Sequence, residues 1–421
     1  MKSAWKALFT LFVLCSMVIA CDQNRNPFQP TSSDSNSGGV SDGQGVLPGS
    51  VSDTSADLGV MDCGNPDDLL PDDSFLQNCL NRGGEIRIKP GSPGYIVNGL
   101  NGDVRRGLWI TKPGTILTSS TPGTLAKIIA GEDLFGHILQ TDPSIRVDDF
   151  TIEYILFSGM VDERNGTYRI NGNNCTGDDD GHPGNLVLSG NNFNFRNNHS
   201  IQALCGSGLA VYGANFTIEN NHIAYNGRDK LSGVAGVPWS DGMTVLQCVN
   251  GSIINNTFVD NTDIDLALGG GSGCRVEGNT ISHWGKYGFA GLHIGNFAGP
   301  YAGNHIGSIY SGNEIFSGVP NKLAMGINVG SHPWNSSVHV YNAGRVVGNK
   351  SYDNVMNLVV DGVGGGEISG NEIYNSIGND GMGSCREPEV NYGVNPAHVI
   401  NTILQEGWIA LLYDDNDCKR K

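Results

Sequence analysis

Four residues in one stretch of this 421-residue chain have the types and spacing for acid–base chemistry: Asp241, Asp263, Asp265 and His293. Same-face neighbours two apart on a strand lie roughly 6.5–7 Å from each other, which suits Asp263 and Asp265. Carboxylates that close cannot all ionise freely. One is expected to rise in pKa and serve as a general acid while another stays ionised as base or nucleophile. Cleavage of a glycosidic bond needs that pair. His293 would orient or tune one of the acids. The competing reading is local: turns are rich in Asp for hydrogen-bonding reasons, and clustered acids are often structural or hold a cation.

The elements that must position these residues come from a repeat. One phrase recurs as Asn197-Asn198, Asn220-Asn221-His222-Ile223, Asn255-Asn256-Thr257-Phe258, Gly278-Asn279-Thr280-Ile281, Gly312-Asn313-Glu314-Ile315, Gly348-Asn349-Lys350 and Gly370-Asn371-Glu372-Ile373. Steps of about 23 or about 35 residues signal a solenoid whose unit is one coil of three short strands. The second asparagines are expected to stack as an amide ladder, so the phrase is structural. Ile264, Leu266 and Leu268 are expected to point inward, as are Leu292, Ile294, Ile327 and Val329. Leu266 then stacks on Leu292 and Ile327, which puts Ala267, His293 and Asn328 in one outward column. Asp263 and Asp265 are expected outward too. Strict alternation turns Asp241 inward, unless it belongs to a turn.

The longer steps predict insertions at about 226–238, 285–308 and 317–344, emerging on one side and walling a groove. Trp239, Trp284, Tyr287, His332 and Trp334 lie on or beside them and suit stacking on sugar rings; clusters that pin the loops are the alternative. Lys286 and Asn328 complete the expected substrate contacts. Arg228, Asp229, Lys230 and Lys286 would matter if the reaction were a lyase elimination, with Lys286 or His293 as base. Asp178-Asp179-Asp180 with His182 is a candidate Ca²⁺ loop, or else a solvated acidic one. No cofactor is required by this reading.

Ahead of the repeat, Pro71-Asp72-Asp73 opens a predicted helix with Phe75, Leu76, Cys79 and Leu80 on one face. Arg82-Gly83-Gly84 ends it. Glu85 to Lys89 then alternates as a strand. After Cys385 the repeat is lost, and residues 386–421 are expected to cap the far end. Gln23 to Leu58 is rich in Ser, Gly, Asp, Asn and Pro and reads as a flexible tether.

Residues 1–20, with Lys2, Lys6 and an apolar run, read as an export signal. Val18-Ile19-Ala20-Cys21 resembles a bacterial lipoprotein's lipobox, which implies lipidation of Cys21 and membrane contact through that anchor alone. The expected location is therefore a bacterial envelope, periplasmic or at the cell surface. Eight further cysteines suit disulfides in an oxidising compartment. The proposed order is Cys63–Cys79, Cys175–Cys205, Cys248–Cys274 and Cys385–Cys418. No CxxC pair is present, and no metal site is assigned. A net charge of -17 disfavours nucleic acid and suits neutral sugars or cations. A polysaccharide partner and a monomer are expected.

The helix, the Gly-Gly break and the strand that follows resemble the start of a right-handed parallel β-helix of the pectate-lyase-like kind. This is an all-β solenoid over 61–385 with an N-terminal helical cap. The order Ser240-Asp241-Gly242, Asn261-Thr262-Asp263-Ile264-Asp265, Leu292-His293-Ile294-Gly295 is similar to that of polygalacturonase-type glycoside hydrolases. That family carries Asn-Thr-Asp-Gly, a paired Asp and Gly-His-Gly. The resemblance implies a hydrolase with Asp241, Asp263, Asp265 and His293 at the matching places. Here Ile264 splits the paired Asp, and His293 lacks its leading glycine. Gly326-Ile327-Asn328-Val329 stands where the family has a basic Arg-Ile-Lys, which points away from galacturonan. A lyase or epimerase, and a glycan-binding or structural solenoid, are the alternatives.

Overall fold

The computed structural model describes residues 62–159, 184–204, 206–227, 240–297, 302–318, 322–331, 338–360 and 362–374. Beyond these it gives only the strands Val399–Ile400, Ile403–Gln405 and Ile409–Leu411. Its strands form three 11-stranded sheets, and each sheet takes every third strand along the solenoid. Every strand pairing is parallel, from Glu85–Ile88 on Ile116–Ser119 at one end to Met356–Val360 on Ile409–Leu411 at the other. The chain therefore winds as a parallel β-helix.

One inward column fills each sheet. In the third sheet Leu108, Leu139, Leu186, Leu209, Met243, Leu266, Leu292, Ile327 and Leu358 succeed one another in register, all fully buried. A coil cannot bury this row alone, so stacking supplies each residue with neighbours above and below. Phe150, Phe193 and Phe216 stack inside at 4.8 and 5.2 Å between ring centroids.

The predicted amide ladder is present. Asn221, Asn256, Asn279, Asn313 and Asn349 each donate Nδ2 to the next residue's Oδ1 at 2.8–3.0 Å, ending on Asn371. Backbone N–H groups from Asn198 onward add a second bond to each step. The residue before each ladder asparagine has positive φ, near 55° at Asn197, Asn220 and Asn255 and near 64° at Gly278, Gly312, Gly348 and Gly370. That conformation explains the phrase itself, because only Gly and Asn adopt it readily.

Helix α1 (Asp73–Arg82) closes the first coil, with Gly83 as its C-cap at φ 73°. Leu76, Cys79 and Leu80 face the core, whereas Phe75, expected with them, is half-exposed. The cap also satisfies an open sheet edge. Gln77 donates Nε2 to Trp109 O and accepts from Trp109 N–H on the first strand of the third sheet. Asp72 and Asp73 accept from Ile96 N–H and Gly99 N–H. An uncapped edge would leave those groups free to recruit another chain.

Cys63–Cys79 and Cys248–Cys274 are disulfides as expected, and such bonds belong to an oxidising compartment. Cys175, Cys205, Cys385 and Cys418 lie outside the described residues, as do the signal, Cys21, the tether, the Asp178–Asp180 loop with His182, Arg228 to Lys230 and the terminal cap beyond its three strands.

The insertions occupy two corners rather than one. Those near 225–239 and 318–322 join the second sheet to the third. Those near 295–308 and 330–344 join the third sheet to the first. The outer face of the third sheet thus lies between two loop-bearing corners.

Candidate active site

The outer face of the third sheet is set by its register. Thr244, Ala267, His293, Asn328 and Val359 form one column, as the sequence predicts for its middle members. At the start of these strands the alternation breaks. Ile264 packs with Ala267, Ala290, Met325 and Met356 in a cluster separate from the main core, so it faces outward, contrary to expectation. Two residues then turn inward together: Asp265 with Leu266, and Gly291 with Leu292. The crowded inner position is kept small on neighbouring coils. A Cβ on Gly291 would lie 2.5 Å from Ile315 Cγ2.

This break exchanges the predicted places of two acids. Asp265 is fully buried, not outward. Its Oδ2 lies 2.7 Å from His283 Nε2, and its Oδ1 accepts from Asn261 Nδ2 at 2.9 Å. Asn261 in turn takes Asn226 Nδ2 at 2.7 Å, a second short amide ladder. Burial alone would lower the pKa of His283. The Asp265 carboxylate and the Lys286 carbonyl, 2.9 Å from Nδ1, outweigh it and hold the imidazole above its ordinary value. The pair is an interior ion pair that fixes the corner.

Asp241 faces outward and is partly exposed. Thr244 Oγ1 donates to its Oδ2 in a very short bond, and Ile264 N–H donates to Oδ1 at 3.2 Å. Ser207 Oγ lies 2.6 Å from Thr244 Oγ1, so a hydroxyl chain leads to the carboxyl. Desolvation dominates over these bonds and, with the Asp265 charge behind the sheet, pushes Asp241 up to about 6. Asp263 sits beside it on the next coil, its N–H 3.3 Å from Ser240 O, and is partly exposed.

His293 is buried. Its Nδ1 lies 2.5 Å from Asn328 Oδ1, and its ring stacks on Phe297 at 5.9 Å. Burial pushes it down to about 4, so it is neutral at physiological pH, with the proton on Nδ1. Lys286 is not available as a substrate contact. It is buried, and Nζ donates to Tyr225 O and Gly227 O at 2.9 Å each. Its loop is held by Asp260, which accepts from the N–H groups of Trp284, Gly285 and Lys286. Trp284 stands 53% exposed, edge-on to Phe316, and Tyr287 carries the Lys322 ammonium 3.8 Å over its ring. Trp239, His332 and Trp334 lie outside the described residues. The sequence reading missed Asp260, His283, Thr244 and Ser207; the alternation break that recruits them has no signature in hydrophobic pattern.

Residues 160–314 match the family model of the right handed beta helix region. The fold is a right-handed parallel β-helix. Among solved structures, the A-module of the Azotobacter vinelandii mannuronan C-5 epimerase AlgE6 is similar over 83% of this chain and 86% of its own, at 14% identity and TM-score 0.50. The Streptococcus pneumoniae surface protein and adhesin PfbA is similar over 81% and 98%, at 12% identity and TM-score 0.44. The Dettilon tailspike protein is similar over 80% and 64%, at 14% and 0.43. At these identities the likeness is one of fold. No curated protein matches in sequence.

Proposed function

We propose that this protein is an exported, polysaccharide-active β-helix that hydrolyses glycosidic bonds on the outer face of its third sheet. Asp241 would protonate the leaving oxygen, and Asp263 would act as the ionised partner. The observation that carries the reading is the Asp241 carboxyl. It is outward, fed by a hydroxyl chain and raised to about 6, where a general acid works near neutral pH. Asp265 leaves the catalytic set and holds the corner through His283. Among the described residues, Trp284 is the exposed member of the aromatics expected to stack on a sugar ring. Anchoring through a lipid on Cys21 and a monomeric state belong to the same proposal, and no cofactor is invoked.

A lyase or epimerase is the second reading, and one observation favours it. His293, in the outward column, is neutral, as a base must be before it takes a proton. Lys286 drops out as its base. Incubation of the purified domain with a panel of polysaccharides separates the two. Reducing ends without new double-bond absorbance support hydrolysis. Double-bond absorbance, or a change in uronate configuration without chain cleavage, supports the second reading.

A further inference from the structure

The column of the third sheet that holds Asp241 can be followed to the N-terminal end of the solenoid. By register, the residue two before Met243 corresponds to the residue two before Leu209, and so on to the residue two before Leu108. From the end, that column runs Arg106, His137, Gly184, Ser207, Asp241. Arg106 is therefore four strand spacings from Asp241, about 19 Å along the axis.

Arg106 borders a cleft of about 200 Å³ between helix α1 and the first coil. Ser74, Asn78, Asn81, Asn101 and Thr111 line it as well, and no carboxylate does. The guanidinium lies 3.8 Å over the Trp109 ring. Its Nε is buried with no hydrogen-bond partner, and so is Trp109 Nε1 beside it. Among the described residues Arg106 forms no ion pair. Asp73 and Asp103, on the neighbouring helix and turn, accept from Gly99 N–H and Arg105 N–H. A partly buried guanidinium without a counter-charge is costly, and its planar fork matches a carboxylate. In a chain of net charge -17, a cationic cleft free of acids is a local reversal of sign.

We infer that this cleft binds the carboxylate of a sugar acid, and that Arg106 supplies the charge. The amides and hydroxyls around it suit the sugar's own hydroxyls. The cleft stands on its own geometry. Its role as a remote subsite for a chain also held at Asp241 rests on the function proposed above. The outward column on either side of His293 carries Ala267 and Asn328 and no basic residue, so a carboxylate recognised at Arg106 would be read several sugars away from the cleaved bond.

The test is calorimetric titration of the whole protein with D-glucuronate, with D-glucose and sulfate as controls. The inference expects saturable glucuronate binding, no detectable glucose binding and weaker sulfate binding. Arg106→Gln should weaken glucuronate at least tenfold, with Arg106→Lys intermediate. Asn78→Ala, which removes a lining amide but no observed bond, should weaken it without changing the melting temperature. Equal binding of sulfate would mean an adventitious ion only. That result, glucose binding as well as glucuronate, or glucuronate affinity unchanged in Arg106→Gln would each overturn the inference. The titration is repeated on Asp241→Asn, where affinity should be unchanged. Failure of the proposed hydrolysis therefore leaves this result interpretable, and the reverse.

Discussion

Three side chains in the same few coils meet opposite electrostatic fates, and each fate has a measurable consequence. Asp241 loses water without gaining a counter-charge, so its folded pKa rises to about 6 from the usual 3.8. Ionisation is then unfavourable to the fold, and the stability it withholds is restored as pH falls through 6. Asp241→Asn should accordingly melt no lower than the parent above pH 7 while turnover falls by at least about 100-fold, the usual scale for losing a general acid. The alkaline limb of the parent's pH–rate profile should lie near 6. His293 behaves in the opposite sense. Its folded pKa of about 4 is below the unfolded 6.5, so its stabilisation is complete above 6.5 and is lost as pH falls towards 4. His305, buried between Tyr310 and Gly295 and also lowered to about 4, adds to that loss. Melting followed from pH 7 to 4 should drop less steeply in His293→Gln than in the parent. Asp265 is different again, since it neutralises His283 inside the solenoid. Asp265→Ala should cost about 3–5 kcal/mol, the scale for breaking a buried pair. Asp241, His293 and Asp265 were legible in the sequence as chemically capable. Which acid faced solvent was not, because a period-two pattern cannot register two successive inward residues.

At the scale of the element, the sequence carries more. The Gly-Asn and Asn-Asn steps predict the ladder because the two positions answer to two different needs: positive φ at the first and a stacked amide at the second. Replacing a middle rung isolates groups on both sides. Asn279→Ala would leave the Asn256 backbone N–H and one Nδ2–H of Asn256 without their acceptor, and would take the side-chain donor from Asn313 Oδ1 and from Ile253 O. Each orphaned buried group costs about 1–3 kcal/mol, so denaturant titration should show a loss of several kcal/mol. The Cys248–Cys274 bridge closes a loop of 26 residues. Its removal should cost about 3–4 kcal/mol by loop entropy, read as a lower melting temperature under reducing conditions. The insertions were legible in approximate place from the longer steps of the repeat, but the one expected at 317–344 is two, split by the strand Leu323–Val329. Their distribution over two corners was not legible, since a step length does not say where in the coil the extra residues fall. Lys286 shows the same limit: its type suits a substrate carboxylate, yet two carbonyls and the Asp260 turn hold it in place.

For the whole molecule, stacking makes each coil depend on its neighbours, and the ends need separate solutions. Helix α1 supplies one, with Gln77 standing in for a missing strand. Gln77→Ala should therefore promote concentration-dependent association, detectable by light scattering, before it changes melting appreciably. The solenoid, its single stacked core and its N-terminal cap follow from period and pattern, which are collective properties of many residues. The chemistry depends on a few side chains whose directions are set by one irregularity, and this is where sequence reading lost its precision. The same irregularity makes the central claim sharp: Asp241 and Asp263 do chemistry, and Asp265 holds the corner. The most direct measurement is reducing-end release by Asp241→Asn, Asp263→Asn and Asp265→Asn, each with its melting curve, on a polysaccharide the parent cleaves. The account predicts turnover lost in the first two with melting retained, and turnover retained in the third below its lowered melting temperature. Full turnover in Asp241→Asn, or its loss only in Asp265→Asn with unchanged melting, would contradict it.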